Sequence, residues 1–441
     1  MKQKIEFQPR IDTNTENQNL GDRSLNVGRW TLSVGRLLVM YRRILAGFVL
    51  LLTLDSFARE PIKSPPAIQT KIVRARDLGI SFEGTPGKFN AITDVPGVEV
   101  GYTTLISGEG KLEVGKGPVR TGVTAILPRG HASLNDPVYA GFFSLNGNGE
   151  MTGTPWVEES GFLEGPIVIT NTHSVGVARD AVIAWLVKQG TGSQTLWSLP
   201  VVAETWDGWL NDINGFHVKP EDVWHALDTA HGGAIEEGSV GGGTGMICYE
   251  FKGGNGTASR VVSVAVAGDG DPGSQKASRA YTVGVFLQAN FGRRPQLMIA
   301  GIPVGKEIPG EVYKKENGSC IAVVATDAPL LPNQLKRLAR RVSLGLARTG
   351  TISGNTSGDL FIAFSIANPN VASPDQITHD VQTIPNDLTD PLFAGVVQAT
   401  EEAVVNALID NRSMTGRDNH RVEALPHDRL RQLVKQYNRR Q

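Results

Sequence analysis

Apolar residues recur along this chain at two spacings, separated by turns marked with glycine and proline. Runs with strand character are Gly97–Thr103, Gly122–Leu127, Ile167–Thr170, Arg260–Ala267, Tyr281–Gln288, Cys320–Ala325 and Phe361–Ser365. Runs with helical spacing are Val177–Lys188, Pro220–Ala230, Pro332–Arg348 and Phe393–Ile409. In the third of these, Leu335, Leu338, Ala339, Val342 and Leu346 fall on one helical face, Pro332 suits a first turn and Gly350 suits a stop. Strand runs interleaved with helices predict an α/β fold, with sheets packed on one another and helices outside. From Arg74 onward no linker, low-complexity stretch or internal repeat breaks the pattern, which predicts a single domain over 74–441.

The first 73 residues read differently. Residues 1–39 are polar and unpatterned, and Met40 is a candidate start, with 1–39 an extension that need not be translated. Arg42 and Arg43 then precede an apolar run of 11 residues, Ile44–Leu54, which closes on Ala58. A basic stretch, a short apolar run and a small residue have the layout of a secretory signal over 40–58. The run is too short for a membrane span, which needs about 20 residues. No cysteine follows Ala58 to carry a lipid, so no stable membrane anchor is expected. Residues 59–73 form a linker rich in proline. Export to the periplasm or medium is the expectation; if the segment is not used, the protein stays in the cytoplasm.

Composition narrows the function by exclusion. The formal net charge of −1 gives no electrostatic case for nucleic acid. Cys248 and Cys320 set no disulfide framework, and each sits in an apolar run as expected of a buried thiol. The eight histidines lack metal-ligand spacing; His217, His225 and His231 are close in sequence but bring no second ligand set. Gly110–Gly117 imitates a phosphate loop but ends in glycine where a Mg²⁺-binding Ser or Thr is needed. Gly268–Gly273 imitates a dinucleotide fingerprint but is followed by another strand-like run instead of a helix. No Gly-x-Ser-x-Gly elbow is present. No metal and no organic cofactor is implied.

One junction carries chemistry. Lys314–Asn317 is polar and turn-like, Gly318 follows, and Ser319 opens the apolar run Cys320–Ala325. A serine at the mouth of a buried strand, preceded by glycine, can attack the glycine carbonyl. Glycine tolerates unusual backbone geometry and puts no side chain in the way. Hydrolysis of the resulting ester would leave an N-terminal serine. Its α-amine, with a pKa of roughly 7.7–8.0, can act as its own general base. Read alone, such a junction is far more often an ordinary turn entering a strand.

The surrounding text resembles the DmpA-type aminopeptidases, which comprise the L-aminopeptidase/D-amidase/D-esterases and the β-peptidyl aminopeptidases. The similarity lies in Ser319–Pro332, Ser357–Leu360, Ile92–Tyr102, Ser144–Gly153, Thr170–Ser174 and Gly241–Gly245, and covers nearly everything from Arg74 to the low 400s. The resemblance implies an αββα sandwich like the N-terminal-nucleophile hydrolases with different connectivity. It implies a cut into 74–318 and 319–441, with Ser319 as nucleophile and Gly318 as its scissile partner. It places a second serine and an acidic residue at Ser357 and Asp359, which share one strand face if that segment is extended. It implies Asn290 as oxyanion donor and Glu204 as the carboxylate that binds the substrate ammonium. His173 is expected to be structural. Where the family can carry a tyrosine, this chain has Trp206, which donates only, so Trp206 is expected to wall the substrate pocket.

The expected substrates are peptides, amides or esters of amino acids, without a predicted preference for L-α-, D- or β-residues. A homo-oligomer of processed two-chain protomers is the family expectation. Two other readings remain open at this stage: an acyltransferase like the ornithine acetyltransferases, which use threonine instead, and a non-catalytic binding protein on the same scaffold.

Overall fold

A computed structural model describes residues 73–190, 196–267, 275–310 and 318–438. The candidate signal segment, the Gly268–Gly273 look-alike and Lys314–Asn317 lie outside the described residues.

The principal strands are β1 (Glu99–Ser107), β2 (Val119–Leu127), β3 (Val138–Gly147), β4 (Phe162–Leu163), β5 (Ile167–Asn171) and β6 (Val201–Thr205). They continue through β7 (Ile247–Cys248), β8 (Phe251–Lys252), β9 (Gly254–Ala267), β10 (Gln275–Asn290), β11 (Gly318–Thr326) and β12 (Ser357–Ser365). The longer helices are α1 (Val175–Lys188), α2 (Pro220–Asp228), α3 (Pro332–Arg348), α4 (Asp390–Ile409) and α5 (His427–Asn438). One sheet has the order β1-β2-β5-β6 and the other β4-β3-β12-β11-β10-β9. In the second sheet β11 and β12 run parallel, and the pairs β10–β11 and β12–β3 are antiparallel.

Period-two alternation sorts each central strand between two cores. Ile321, Val323 and Ala325 of β11 meet Phe286, Ile362 and Phe364 in the space between the sheets, opposite Ile126, Ile169 and Ala203. Cys320, Ala322 and Val324 turn the other way, onto α3 and α4. The first sheet buries its outer face under α1 and α2. The layers are therefore α-β-β-α. Each large apolar side chain fully buried in them contributes about 1.5–3 kcal/mol relative to exposure.

Helix α3 matches its predicted bounds, with Pro332 in its first turn and its five predicted core residues buried. Gly350 follows its end at φ +97°, where a Cβ would lie 1.8 Å from the Gln296 carbonyl oxygen, so glycine is required twice over. Helix α4 is apolar nearly all round and long enough to cross a membrane, but most of it is buried inside the protein, the pattern of a core helix.

One look-alike resolves as a turn, and the strands that flank the other are described. Gly110–Gly117 belongs to the β1–β2 connection, where Glu113 and Gly117 exchange backbone hydrogen bonds and β2 follows directly. β9 and β10, which flank Gly268–Gly273, pair antiparallel. His217, His225 and His231 go to Asp212, Thr103 and the Gly232 carbonyl, respectively. Cys248 and Cys320 are both buried thiols.

Candidate active site

Strand direction gathers the predicted residues at one end of the sandwich. β10 ends on Asn290 where the antiparallel β11 begins, and Asn290 is the register partner of Ser319. β12 begins alongside, pairing Ser357 with Gly318, Gly358 with Ser319 and Asp359 with Cys320. Gly318 lies so close to the end of β10 that a Cβ there would be 2.2 Å from the Asn290 carbonyl oxygen. Any larger residue before Ser319 would push the two strands apart.

Alternation places Ser319 on the face of Ile321, looking into the space between the sheets. Its hydroxyl is buried and has no hydrogen-bond partner. The Ser343 and Thr400 hydroxyls are likewise buried without a partner, so what singles out Ser319 is its place beside Asn290 and Gly358 at the strand ends. Asn290, 2% exposed, lies beside it with its amide fixed at both ends. Oδ1 accepts from the Ile247 N–H at 2.8 Å, and Nδ2 donates to the Trp206 carbonyl at 2.9 Å. That pattern assigns the orientation of the amide and leaves the second Nδ2 hydrogen for an oxyanion. The β7–β8 hairpin that supplies Ile247 is clamped from behind by Lys252. Its buried Nζ donates to the Met246 and Gly253 carbonyls at 2.8 Å each, and burial pulls its pKa down to about 7.

Glu204 reaches the same space from the other sheet, at the end of β6. Glycine at 149 makes this possible: a Cβ there would lie 3.2 Å from Glu204 Oε1 and 3.2 Å from the Gly358 Cα, so only a glycine separates the carboxylate from Ser319's neighbour on β12. Oε1 accepts from the Glu150 N–H at 3.2 Å and Oε2 from the Thr172 hydroxyl. Burial raises the pKa of Glu204, and these two hydrogen bonds oppose the rise. Thr172 was not singled out from sequence, although it stands inside the Thr170–Ser174 segment that carried part of the resemblance. The His173 backbone N–H donates to Asn171 Oδ1 at 3.0 Å, and its ring stacks on Phe216. Trp206 is half-buried, with its indole against Gly208, and takes part through its carbonyl. Behind it Asp207 is buried, and burial pushes its carboxyl up to about 7.

Ser357 and Asp359 share a strand face, and the Ser357 hydroxyl donates to Asp359 Oδ1 at 2.8 Å. That face is the one of Phe361 and Cys320, turned toward the helices and away from the Ser319 hydroxyl. The pair therefore flanks Gly318 and the backbone nitrogen of Ser319, not the Ser319 side chain. Sequence spacing identified the shared face correctly but could not tell which face it was.

Residues 90–422 match the model of Peptidase family S58. The chain belongs to this family. The β-peptidyl aminopeptidase BapA of Sphingosinicella microcystinivorans is 54% identical over 383 residues, covering 83% of this chain and 93% of the relative. BapA of Sphingosinicella xenopeptidilytica is 48% identical, covering 82% and 91%. Among solved structures, the L-aminopeptidase D-Ala-esterase/amidase of Ochrobactrum anthropi aligns with a TM-score of 0.75 and 48% identity, over 83% of this chain and 99% of that one. It is described as a prototype of the serine aminopeptidases and a new variant of the Ntn hydrolase fold. A Burkholderia β-aminopeptidase aligns with a TM-score of 0.73 and 45% identity. This S58 peptidase thus has the αββα fold its sequence predicts, with the N-terminal-nucleophile type of architecture.

Proposed function

We propose that this S58 peptidase is a serine aminopeptidase that activates itself at Gly318–Ser319 and then removes N-terminal β-amino acid residues from peptides and amides. The observation that carries the reading is the alignment of a buried, unpartnered Ser319 hydroxyl with the fixed amide of Asn290, below the carboxylate of Glu204.

In the first step Ser319 Oγ adds to the Gly318 carbonyl carbon, the C–N bond breaks, and an ester and a free amine form. Water hydrolyses the ester and releases the Gly318 carboxylate. In turnover the same oxygen attacks the substrate carbonyl. The new α-amine takes its proton and returns it to the departing amine, and water then hydrolyses the acyl-enzyme. The Ser357–Asp359 pair, on the face that flanks the Ser319 nitrogen, orients that amine. The free Nδ2 hydrogen of Asn290 meets the developing oxyanion. Glu204 binds the substrate ammonium through a charge-assisted hydrogen bond.

The β-preference is supported by the two BapA relatives, and the Ochrobactrum protein makes L-α substrates the competing outcome. Intact mass of the purified protein beside Ser319→Ala tests the first part: two chains in the wild type, the smaller beginning at Ser319, and one chain in the variant. Comparing kcat/KM for β-homoalanyl and L-alanyl p-nitroanilides tests the second; equal or higher values for the L-alanyl compound would overturn the β-preference. The basic, apolar, small-residue order of 40–58 supports export of the precursor.

A further inference from the structure

Asp359 is held at both carboxylate oxygens. Ser357 occupies Oδ1, and the second oxygen, Oδ2, accepts from the hydroxyl of Ser353, four residues before β12 begins. Nothing in the sequence motifs marks Ser353. Its backbone does: φ is +52°, in the left-handed region that a serine rarely adopts. A non-glycine residue kept there is strained and persists only when its surroundings impose it.

Those surroundings are specific. The Ser353 N–H donates to Thr351 Oγ1 at 3.1 Å, and the Thr351 N–H donates to the buried Tyr249 hydroxyl at 3.1 Å. Asn146 of β3 donates to the Gly354 carbonyl at 2.7 Å, which fixes the other side of the turn. Tyr249 also donates its own N–H to the Phe291 carbonyl at 2.7 Å, directly after Asn290. The left-handed turn at Ser353 is thus built from three elements, and its side chain ends on Asp359.

We infer that Ser353 is a positioning residue that fixes the carboxylate of Asp359 so that Asp359, through Ser357, orients the amine of Ser319. The inference rests on the reading of Ser319 as an N-terminal nucleophile. A carboxylate with one free oxygen can rotate about its last torsion and take its hydrogen bond from Ser357 in more than one geometry. With both oxygens engaged, one arrangement remains. Among the described residues, a titratable group that interacts with Asp359 is the thiol of Cys320 on β11, which in turn interacts with Cys248 on β7. Burial, then the charge of Asp359, pushes the Cys320 thiol well up, so it stays protonated through the working range.

Ser353→Gly separates the hydroxyl from the backbone, because glycine adopts φ +52° without strain. The test is the pH dependence of kcat in the processed protein, with thermal unfolding and the rate of fragment appearance measured in parallel. The expected result is a midpoint temperature near that of the wild type, a kcat about tenfold lower at unchanged KM, and an acid limb moved up by about one pH unit, the worth of one hydrogen bond to a charged group. Ser353→Asn, which tolerates the left-handed region and offers a donor, should recover part of the loss. If Ser353→Gly cleaves itself too slowly to assay, slowed cleavage with recovery in Ser353→Asn supports the same inference. A Ser353→Gly enzyme with wild-type cleavage, kcat and acid limb overturns it. An uncut, inactive wild type would instead overturn the nucleophile reading, which keeps the two failures distinct.

Discussion

Glu402 and Ser319 are about equally buried, at 1% and 3% exposure, yet their surroundings are completed in opposite ways. Around Glu402 every demand is met. Arg76 binds both oxygens at 2.7 and 2.8 Å, Arg260 binds Oε2 at 2.7 Å and Asn90 binds Oε1 at 2.7 Å. Arg260 spends its other donors on the Glu83, Ser259 and Gln398 carbonyls. Burial alone would raise the carboxyl of Glu402, but Arg76, Arg260 and Asn90 outweigh it and hold the pKa below the ordinary value. Around Ser319 the neighbours Asn290, Glu204 and Asp359 are each anchored by hydrogen bonds, while the serine hydroxyl itself has none. The first cluster ties α4 to β9 and the segment before β1. The second is a fixed frame around one unanswered group. Burial of polar atoms therefore does not mark function in this fold; the two clusters differ in whether the group at their centre is answered.

Substitutions should separate the two clusters by what they damage. Ser319→Ala should abolish self-cleavage and lower turnover by about 10⁴-fold or more, without lowering the unfolding temperature, since the hydroxyl it removes bonds to nothing. Glu402→Ala should do the reverse. Removing one partner of a buried ion cluster costs about 3–5 kcal/mol, read as a fall in denaturation midpoint, while kcat/KM of the folded fraction stays at the wild-type value. Loss of activity in Glu402→Ala at temperatures where it remains folded would break the contrast.

Asn290→Ala should lower kcat by about 10²–10³-fold, the worth of one oxyanion donor, with KM little changed. Glu204→Gln should act on KM instead, raising it about 10- to 100-fold by loss of a charge-assisted hydrogen bond. Because burial raises the pKa of Glu204, wild-type KM should climb as pH falls while still above the ordinary glutamate range, and Glu204→Gln should flatten that climb. Stability should respond to Glu402 with the opposite displacement. Its depressed pKa makes a contribution that is full above the unfolded value and lost as pH falls through the lower folded one.

The chain's own pattern made the layers legible but not all of their members. Period-two runs located β2, β5, β10 and β11, and α3 could be read to the residue. β3 escaped because its outer half carries Ser144, Asn146 and Gly147 in a half-exposed register. β6 escaped because five residues after Pro200 are too short a run to stand out. α5 escaped because it is mostly polar, with Leu430, Leu433 and Val434 buried. In the site, Ser319 could be singled out by its place after Gly318 at the mouth of a buried strand, whereas Asn290 and Glu204 were reached only through resemblance, since an asparagine and a glutamate at strand ends have no spacing of their own. Thr172 and Ser353 act through contacts that only the fold creates, one across two strands of a sheet and one across a left-handed turn.

The strand order has a mechanical consequence. β12 and all of β11 but Gly318 come from the chain after Gly318, while their outer neighbours β10 and β3 come from the chain before it. Severing the backbone at that point would leave the shorter piece inlaid within the longer one, hydrogen-bonded along both edges. The two pieces could not drift apart, exchange between molecules or be added back to one another without dismantling the central sheet. Maturation would then be a one-way event, and every working molecule would keep the partner with which it was synthesised.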